Sequence, residues 1–134
     1  MTRRQAREFI LQVLFEFEFT GTTRGGTDRA SELSQRGASV ETIAFVEDII
    51  GGTIRHLKEI DEIIQSASKH WEFDRIAAVD RNIMRFAVYE LRYRTDIPAA
   101  VTINEAVDIA KKFSTIESYS FINGVLDRIA HGRP

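Results

Sequence analysis

The sequence contains no cysteine and only two prolines, at positions 98 and 134. Without cysteine there is no disulfide framework and no thiol chemistry. Because proline is the strongest helix breaker, long helices can run through most of the chain. No long apolar run occurs near the amino end or elsewhere, so we expect no membrane span and a cytoplasmic protein.

The motifs of common enzymes and metal sites are also missing. The glycine pairs at 25–26 and 51–52 are each followed by threonine and lack the lysine of a phosphate-binding loop. Three histidines are too far apart to have the spacing of metal ligands: His56, His70 and His131. We therefore expect no enzyme, no metal ion and no cofactor.

The bulk composition is that of one ordinary globular domain. The chain has 134 residues, of which 43% are hydrophobic and 28% are charged. The net charge of −2 is unevenly distributed, since Arg3, Arg4 and Arg7 precede the first acidic residue, Glu8. A basic end on an acidic body favours a small, local contact with nucleic acid over a broad non-specific one.

Apolar residues recur at intervals of three and four along most of the chain, which is the period of an α-helix. Thr2 and Gln5 have the spacing of a capping box at the start of a first helix, which we expect to end near Thr20. A loop is predicted over 20–27 and a short helix around 28–35.

The middle of the chain carries one apolar stripe that continues through a pair of glycines. Ser39 is the expected N-cap of this segment. We predict one long helix that ends near Ser68 and is bent or closely packed at Gly51 and Gly52. Two helices in line are the alternative.

The second half is predicted to be helical as well. Asp74 is the expected cap of its first helix, and residues 79–94 are apolar nearly all round, as in a central helix. After Pro98, Thr102 and Glu105 have the spacing of a second capping box. No credible strand is found, so the predicted fold class is all-α with about seven helices.

Four segments together resemble the NusB family of bacterial transcription antitermination factors. They occur in the family's order and span nearly the whole chain: 3–8 (RRQARE), 79–91 (VDRNIMRFAVYEL), 96–98 (DIP), and 103–106 (INEA) with 121–127 (FINGVLD). The resemblance implies one domain over 1–134, made of two small helical bundles packed crosswise. These sub-bundles are expected at about 1–68 and 69–134, joined near residue 70.

The arginine-rich opening is the first candidate RNA-binding element. Arg3, Arg4 and Arg7 lie within about one helical turn of each other, near a helix N-terminus whose dipole attracts phosphate. The resemblance implies that this segment contacts RNA, whereas a merely solvated basic end is the alternative. Gln5 stands where relatives can carry another basic residue, which lowers the expected affinity.

Phe121 is the second candidate. It lies off the apolar stripe of its helix, and a half-exposed aromatic ring can stack on an unpaired base. A core phenylalanine is the alternative, but the resemblance places this ring at the RNA surface. Glu117, one turn earlier, matches an acidic position that tempers RNA binding, and Ser120 stands where relatives can be basic. We expect the arginines and Phe121 to form one joint surface.

The resemblance also implies a protein partner, the small ribosomal protein NusE. Asp80 matches an acidic position at that contact, and acidic residues suit a basic ribosomal protein. The alternative is that Asp80 simply caps the central helix. Phe15 is either core or exposed, and it is a second candidate for the partner contact.

The predicted function is that of an RNA-binding adaptor in transcription antitermination. With NusE it would bind boxA-type single-stranded RNA of ribosomal RNA transcripts, within the RNA polymerase antitermination complex. One alternative is a helical protein-interaction module without RNA binding. Another is a stand-alone relative of the RNA-binding domain of an rRNA cytosine methyltransferase, whose catalytic domain and cysteine this chain lacks. Monomer and homodimer both stay open, since some relatives self-associate through the RNA surface.

Overall fold

The computed structural model describes residues 1–23, 26–69 and 71–132, which contain seven α-helices, one 3-10 turn (Phe73–Arg75) and no strand. The helices are α1 (Arg3–Thr20), α2 (Gly26–Gln35), α3 (Val40–Arg55), α4 (Leu57–Ala67), α5 (Ala78–Tyr93), α6 (Ala99–Phe113) and α7 (Ile116–His131). The prediction of an all-α fold with about seven helices is confirmed. The predicted loop over 20–27 and the predicted join near residue 70 fall partly outside the described residues.

Local capping explains where the early helices begin and end. Thr2 and Gln5 form the predicted capping box: the Thr2 hydroxyl accepts from the Gln5 amide at 3.0 Å, and the Gln5 side chain accepts from the Thr2 amide at 2.8 Å. Helix α1 ends at Gly21, whose φ of +74° suits a residue without a Cβ. Ser39 caps α3 as predicted, by accepting from the Thr42 amide.

The middle segment is two helices rather than one. The break falls at His56, while Gly51 and Gly52 stay inside α3. The predicted close packing is present at Gly52, because a Cβ built there would lie 2.1 Å from the Tyr89 ring. The glycine therefore lets α3 approach α5, and the prediction of one long helix bent at the glycines was wrong.

Two predicted caps in the second half were also wrong. Asp74 lies in the 3-10 turn, and α5 begins after Ala77 without a side-chain cap. Helix α6 begins directly after Pro98, one turn before the predicted capping box. Thr102 instead donates its hydroxyl to the Glu90 carboxylate at 2.9 Å, so the residue serves a tertiary contact.

Helix α5 lies at the centre of the molecule, as its apolar pattern predicted. It packs against α1, α3, α4, α6 and α7, and every residue from Asn82 to Leu91 is buried. A helix that is covered by neighbours on all sides has no solvent-facing side, which explains why α5 carries apolar residues all round. The division of the chain into two sub-bundles stays a prediction.

Ion pairs, one buried and the others partly buried, fix the direction of α1 on α5. Arg7, near the start of α1, pairs with Glu90 at 2.8 Å, near the end of α5. Glu18, near the end of α1, pairs with Arg81 and Arg85 at 2.7 Å, near the start of α5. Burial alone raises the pKa of Glu18, but the hydrogen bonds and charges of the two arginines bring that pKa below its ordinary value. The two helices are therefore antiparallel.

Candidate nucleic-acid interface

Arg3 is exposed and rests on an aromatic ring instead of a carboxylate. Its guanidinium carbon lies 4.0 Å from the centre of the Phe45 ring. Arg94 approaches the same ring at 5.4 Å. Within the described residues Arg3 makes no ion pair, and a cation–π contact orients its guanidinium. The nearby Asp96 carboxyl has a pKa below its ordinary value, chiefly because of the hydrogen bond from Arg94 and in part because of the charge of Arg3.

Arg4 is also exposed, but its guanidinium forms ion pairs with two acidic residues of α6. Its guanidinium donates to Glu105 and, at 2.7 Å, to Asp108. The hydrogen bond with Glu105 raises the pKa of Arg4 above its ordinary value, although partial burial opposes that shift. A phosphate would have to compete with both carboxylates, so Arg4 offers less attraction than Arg3.

Arg7 does not belong to the exposed cluster. It is 2% exposed, and it donates to both oxygens of Glu90, at 3.0 and 2.8 Å. Sequence spacing correctly placed the three arginines within one turn, but the side of α1 that carries Arg7 faces α5. The prediction that three guanidinium groups fan over one exposed surface is corrected to two, Arg3 and Arg4.

A further exposed cation extends this basic surface along α6. Lys111 lies 4.0 Å from Asp108, the same residue that holds Arg4, and 5.1 Å from the centre of the Tyr119 ring. Sequence reasoning did not connect Lys111 with Arg4. The three-residue spacing from Asp108 to Lys111 was the available signal, but it becomes meaningful only once α1 is known to pack on α6.

Phe121 lies at the edge of the core, half-buried, as its position off the apolar stripe predicted. It meets Trp71 edge to face, with ring centres 5.9 Å apart, and Trp71 is 56% exposed. The two rings line a small pocket of about 230 Å³ together with Asp80 and Glu117. Sequence reasoning missed Trp71, although a lone tryptophan in a polar stretch was a signal.

The arginines and Phe121 do not form one joint surface. Asp80, beside Phe121, is near the start of α5, whereas Arg94, which shares the Phe45 ring with Arg3, follows its end. At about 1.5 Å per helical residue, the two places are separated by roughly 20 Å along α5. The expected single surface is therefore corrected to two separate ones, at opposite ends of the central helix.

Asp80 is neither a surface acid nor an N-cap. It is 4% exposed, it lies in the first turn of α5, and the N-cap position belongs to Ala77. One carboxylate oxygen, Oδ1, accepts from the Ser114 hydroxyl at 2.6 Å. Such a buried carboxylate presents little charge to a partner surface. The structure therefore corrects both interpretations of Asp80 made from the sequence, the exposed acid and the helix cap.

Phe15 is half-buried and contacts the exposed Phe19, with ring centres 5.0 Å apart. It lines a groove of about 770 Å³ along α1, which we call the α1 groove. The groove is lined by Met1, Gln5, Glu8, Phe9, Leu11, Gln12, Phe15, Arg36, Val79 and Phe113. Its apolar floor with a few charged residues at the rim is typical of a protein contact.

The described residues contain no group of three or more His, Asp or Glu side chains that could hold a metal ion. None of the helices described is both long and apolar enough to cross a membrane. An all-helical scaffold that carries a basic end, an apolar groove and an aromatic pocket defines a small all-α binding protein. A profile of the NusB family matches residues 4–131. The chain belongs to the NusB family.

Similar proteins agree with this assignment. The transcription antitermination protein NusB of Desulforamulus reducens is 44% identical over 129 residues, which cover 96% of this chain and 90% of that protein. NusB of T. maritima superposes with a TM-score of 0.84 at 34% identity, over 99% of this chain and 93% of that one. A structure of the antitermination factors NusB and NusE with dsRNA gives a TM-score of 0.82 at 26% identity, over 99% and 100% of the two chains. These relatives are named as antitermination factors and not as enzymes, which agrees with the sequence prediction.

Proposed function

We propose that this chain is a transcription antitermination factor that binds RNA together with a NusE-type ribosomal protein in the cytoplasm. The name of its relatives and the solved NusB–NusE–RNA complex support this assignment. At the finer level, we propose boxA-type single-stranded RNA of ribosomal transcripts as the ligand and the RNA polymerase antitermination complex as the setting. The proposal of RNA binding rests on Arg3, because it is an exposed guanidinium that makes no ion pair in the described residues.

The proposed RNA path starts at Arg3, passes Arg4 and Lys111, and ends at Phe121. Phosphates would bind the guanidinium and ammonium groups, while an unpaired base meets the aromatic ring. Glu117 stands exposed beside Phe121 and repels phosphates there, which limits affinity. The separation of roughly 20 Å along α5 requires a strand of several nucleotides instead of a single bound nucleotide.

Replacing Arg3 with alanine should weaken RNA binding and flatten its salt dependence. Each phosphate contact with a single strand contributes about 0.7 to the slope of log K against log salt. We expect Arg3→Ala to lower that slope by about 0.7, and the double variant with Arg4→Ala to lower it by up to about 1.4. Fluorescence anisotropy of a labelled single-stranded RNA at several salt concentrations measures this.

Lys58→Ala is the matched control, because Lys58 is an exposed cation on α4, a helix that carries none of the proposed RNA contacts. It should leave the slope unchanged. A duplex of the same RNA tests the double-stranded alternative suggested by the solved complex. If Arg3→Ala and the double variant bind RNA with wild-type affinity and slope, the RNA surface lies elsewhere on the molecule. If the wild type binds neither the single strand nor the duplex, a protein-interaction module without RNA binding becomes the better interpretation.

We propose the α1 groove as the site of the protein partner. Its floor is apolar, and Phe15 lies where a partner side chain can pack against it. Glu8 at the rim can pair with a basic ribosomal protein, although Lys112 already lies 3.1 Å from it. Asp80 is 4% exposed and one of its carboxylate oxygens already accepts from Ser114, so we assign the main contact to Phe15.

Replacing Phe15 with lysine should abolish binding of NusE, because it puts a cation into an apolar groove facing a basic partner. We expect a loss of affinity of at least about tenfold in calorimetric titration, since a central aromatic anchor is often worth 2 kcal/mol or more. Circular dichroism checks that the fold persists. Sedimentation of the wild type and of Phe15→Lys, each without NusE, shows whether a homodimer forms and whether it uses the same groove. Wild-type affinity of Phe15→Lys for NusE would move the partner site elsewhere.

A further inference from the structure

The pocket between Trp71 and Phe121 has the size and lining of a single-base site. It encloses about 230 Å³, which is below the range of roughly 300–1,000 Å³ usual for drug-sized ligands. One ring system fits such a space, whereas a peptide segment does not. Trp71, at 56% exposure, leaves a ring face open for stacking beside the half-buried Phe121.

One buried acceptor lines this aromatic pocket. Asp80 is 4% exposed, and its Oδ1 accepts from Ser114 at 2.6 Å. No hydrogen bond from the described part of the chain reaches the other oxygen, Oδ2. Oδ2 is not among the fully buried side-chain atoms that lack a partner, so it is accessible to a ligand in the pocket that Asp80 lines. A donor on such a ligand would make a charge-assisted hydrogen bond with it. Arg75, whose side chain is 78% exposed, stands at the rim, where a phosphate would remain outside.

We propose that this pocket holds one unpaired nucleobase that carries an exocyclic amino group, stacked on Trp71 and donating its amine to Asp80. The inference rests on the proposed RNA-binding function and adds a specificity-determining residue to it. Cytosine, adenine and guanine each have an amino group that can donate to a carboxylate. Uracil offers only an imino N–H between two carbonyl oxygens, which the carboxylate repels. The pocket therefore discriminates against uracil.

The single tryptophan of the chain makes this testable with a local signal, since Trp71 alone reports on the pocket. The full-length chain is titrated at low salt with the oligoribonucleotides rC12 and rU12. We expect rC12 to quench the Trp71 emission. It should also bind at least about tenfold more tightly than rU12, because only rC12 can donate a hydrogen bond from an amino group to the charged carboxylate. Anisotropy of fluorescein-labelled oligomers gives the same comparison for variants.

Two substitutions separate stacking from amine recognition. Trp71→Ala should weaken rC12 binding by roughly 5- to 150-fold, the effect of removing one base-stacking ring. Asp80→Asn keeps the shape and the Ser114 contact but adds a donor, so it should narrow the preference for rC12 over rU12. Phe19→Ala removes an exposed ring at the end of α1 and should change neither the affinity for rC12 nor the preference for rC12 over rU12.

The outcomes distinguish this inference from the proposed function. If rC12 binds in a salt-dependent manner and Arg3→Ala weakens it, but Trp71→Ala binds like the wild type, the pocket inference is overturned and the RNA function stands. If Trp71→Ala weakens binding while Asp80→Asn leaves the preference unchanged, amine recognition by Asp80 is overturned. If neither oligomer binds the wild type, both the pocket and the RNA function fail.

Discussion

Replacing Arg7 with alanine is expected to lower the free energy of unfolding by about 3–5 kcal/mol, the range for removing one partner of a buried ion pair. Arg7 is 2% exposed and Glu90 is fully buried. Within the described part of the chain, the substitution leaves the Glu90 carboxylate in the core with only the Thr102 hydroxyl as a donor. Urea unfolding followed by circular dichroism measures the loss.

Arg4→Ala is the matched control, since Arg4 is an exposed arginine of the same helix whose ion pairs are worth no more than about 1 kcal/mol. Combining Arg7→Met with Glu90→Gln should recover much of the lost stability, because no unpaired charge stays buried and the amide can still accept from Thr102. Equal stability of Arg7→Ala and Arg4→Ala would show that Arg7 is not buried with Glu90. If Arg7→Ala is destabilised as expected, any loss of RNA binding by this variant reports on folding and not on a phosphate contact.

Alanine at position 52 is expected to destabilise the fold by about 1–3 kcal/mol, the usual effect of overpacking a core. The added methyl group would lie 2.1 Å from the Tyr89 ring. That ring cannot easily move aside, because it is buried and its hydroxyl donates to Asp48 at 3.0 Å. Urea unfolding again provides the measurement.

Gly51→Ala is the neighbouring control, and it should raise the free energy of unfolding instead of lowering it. A Cβ at Gly51 meets only the end of the flexible Arg55 side chain, at 3.0 Å, so the gain in helix propensity of up to about 1 kcal/mol should dominate. In a Tyr89→Leu background the penalty of Gly52→Ala should shrink, because the opposing ring is gone. A penalty that is the same in both backgrounds contradicts the proposed clash.

Features that depend on a few adjacent residues were predictable from the sequence. The capping box of Thr2 and Gln5 and the N-cap Ser39 appear in the structure as predicted, because each involves residues three positions apart. The central position of α5 was also predictable, since an apolar residue on every side of a helix leaves no face for solvent.

Features that depend on distant residues were not predictable in the same way. Thr102 and Glu105 have capping-box spacing, but they bind Glu90 and Arg4 on other helices. Arg7 looked like its exposed neighbours because its partner, Glu90, is 83 positions away. The Trp71 pocket is likewise assembled by contacts across helices. In each case residue spacing predicts a local role, whereas tertiary packing brings the side chain to a partner that is distant in the sequence.

Helix α5 fixes the distance between the two candidate contact points and so sets a minimum length for a ligand that reaches both. An RNA fragment that is too short to reach both ends can occupy only one of them and gains nothing from the other. Once a strand is long enough, its second contact becomes intramolecular and the two modest affinities multiply through effective concentration. Selectivity for chain length then comes from the helix itself, without any further contact to a base.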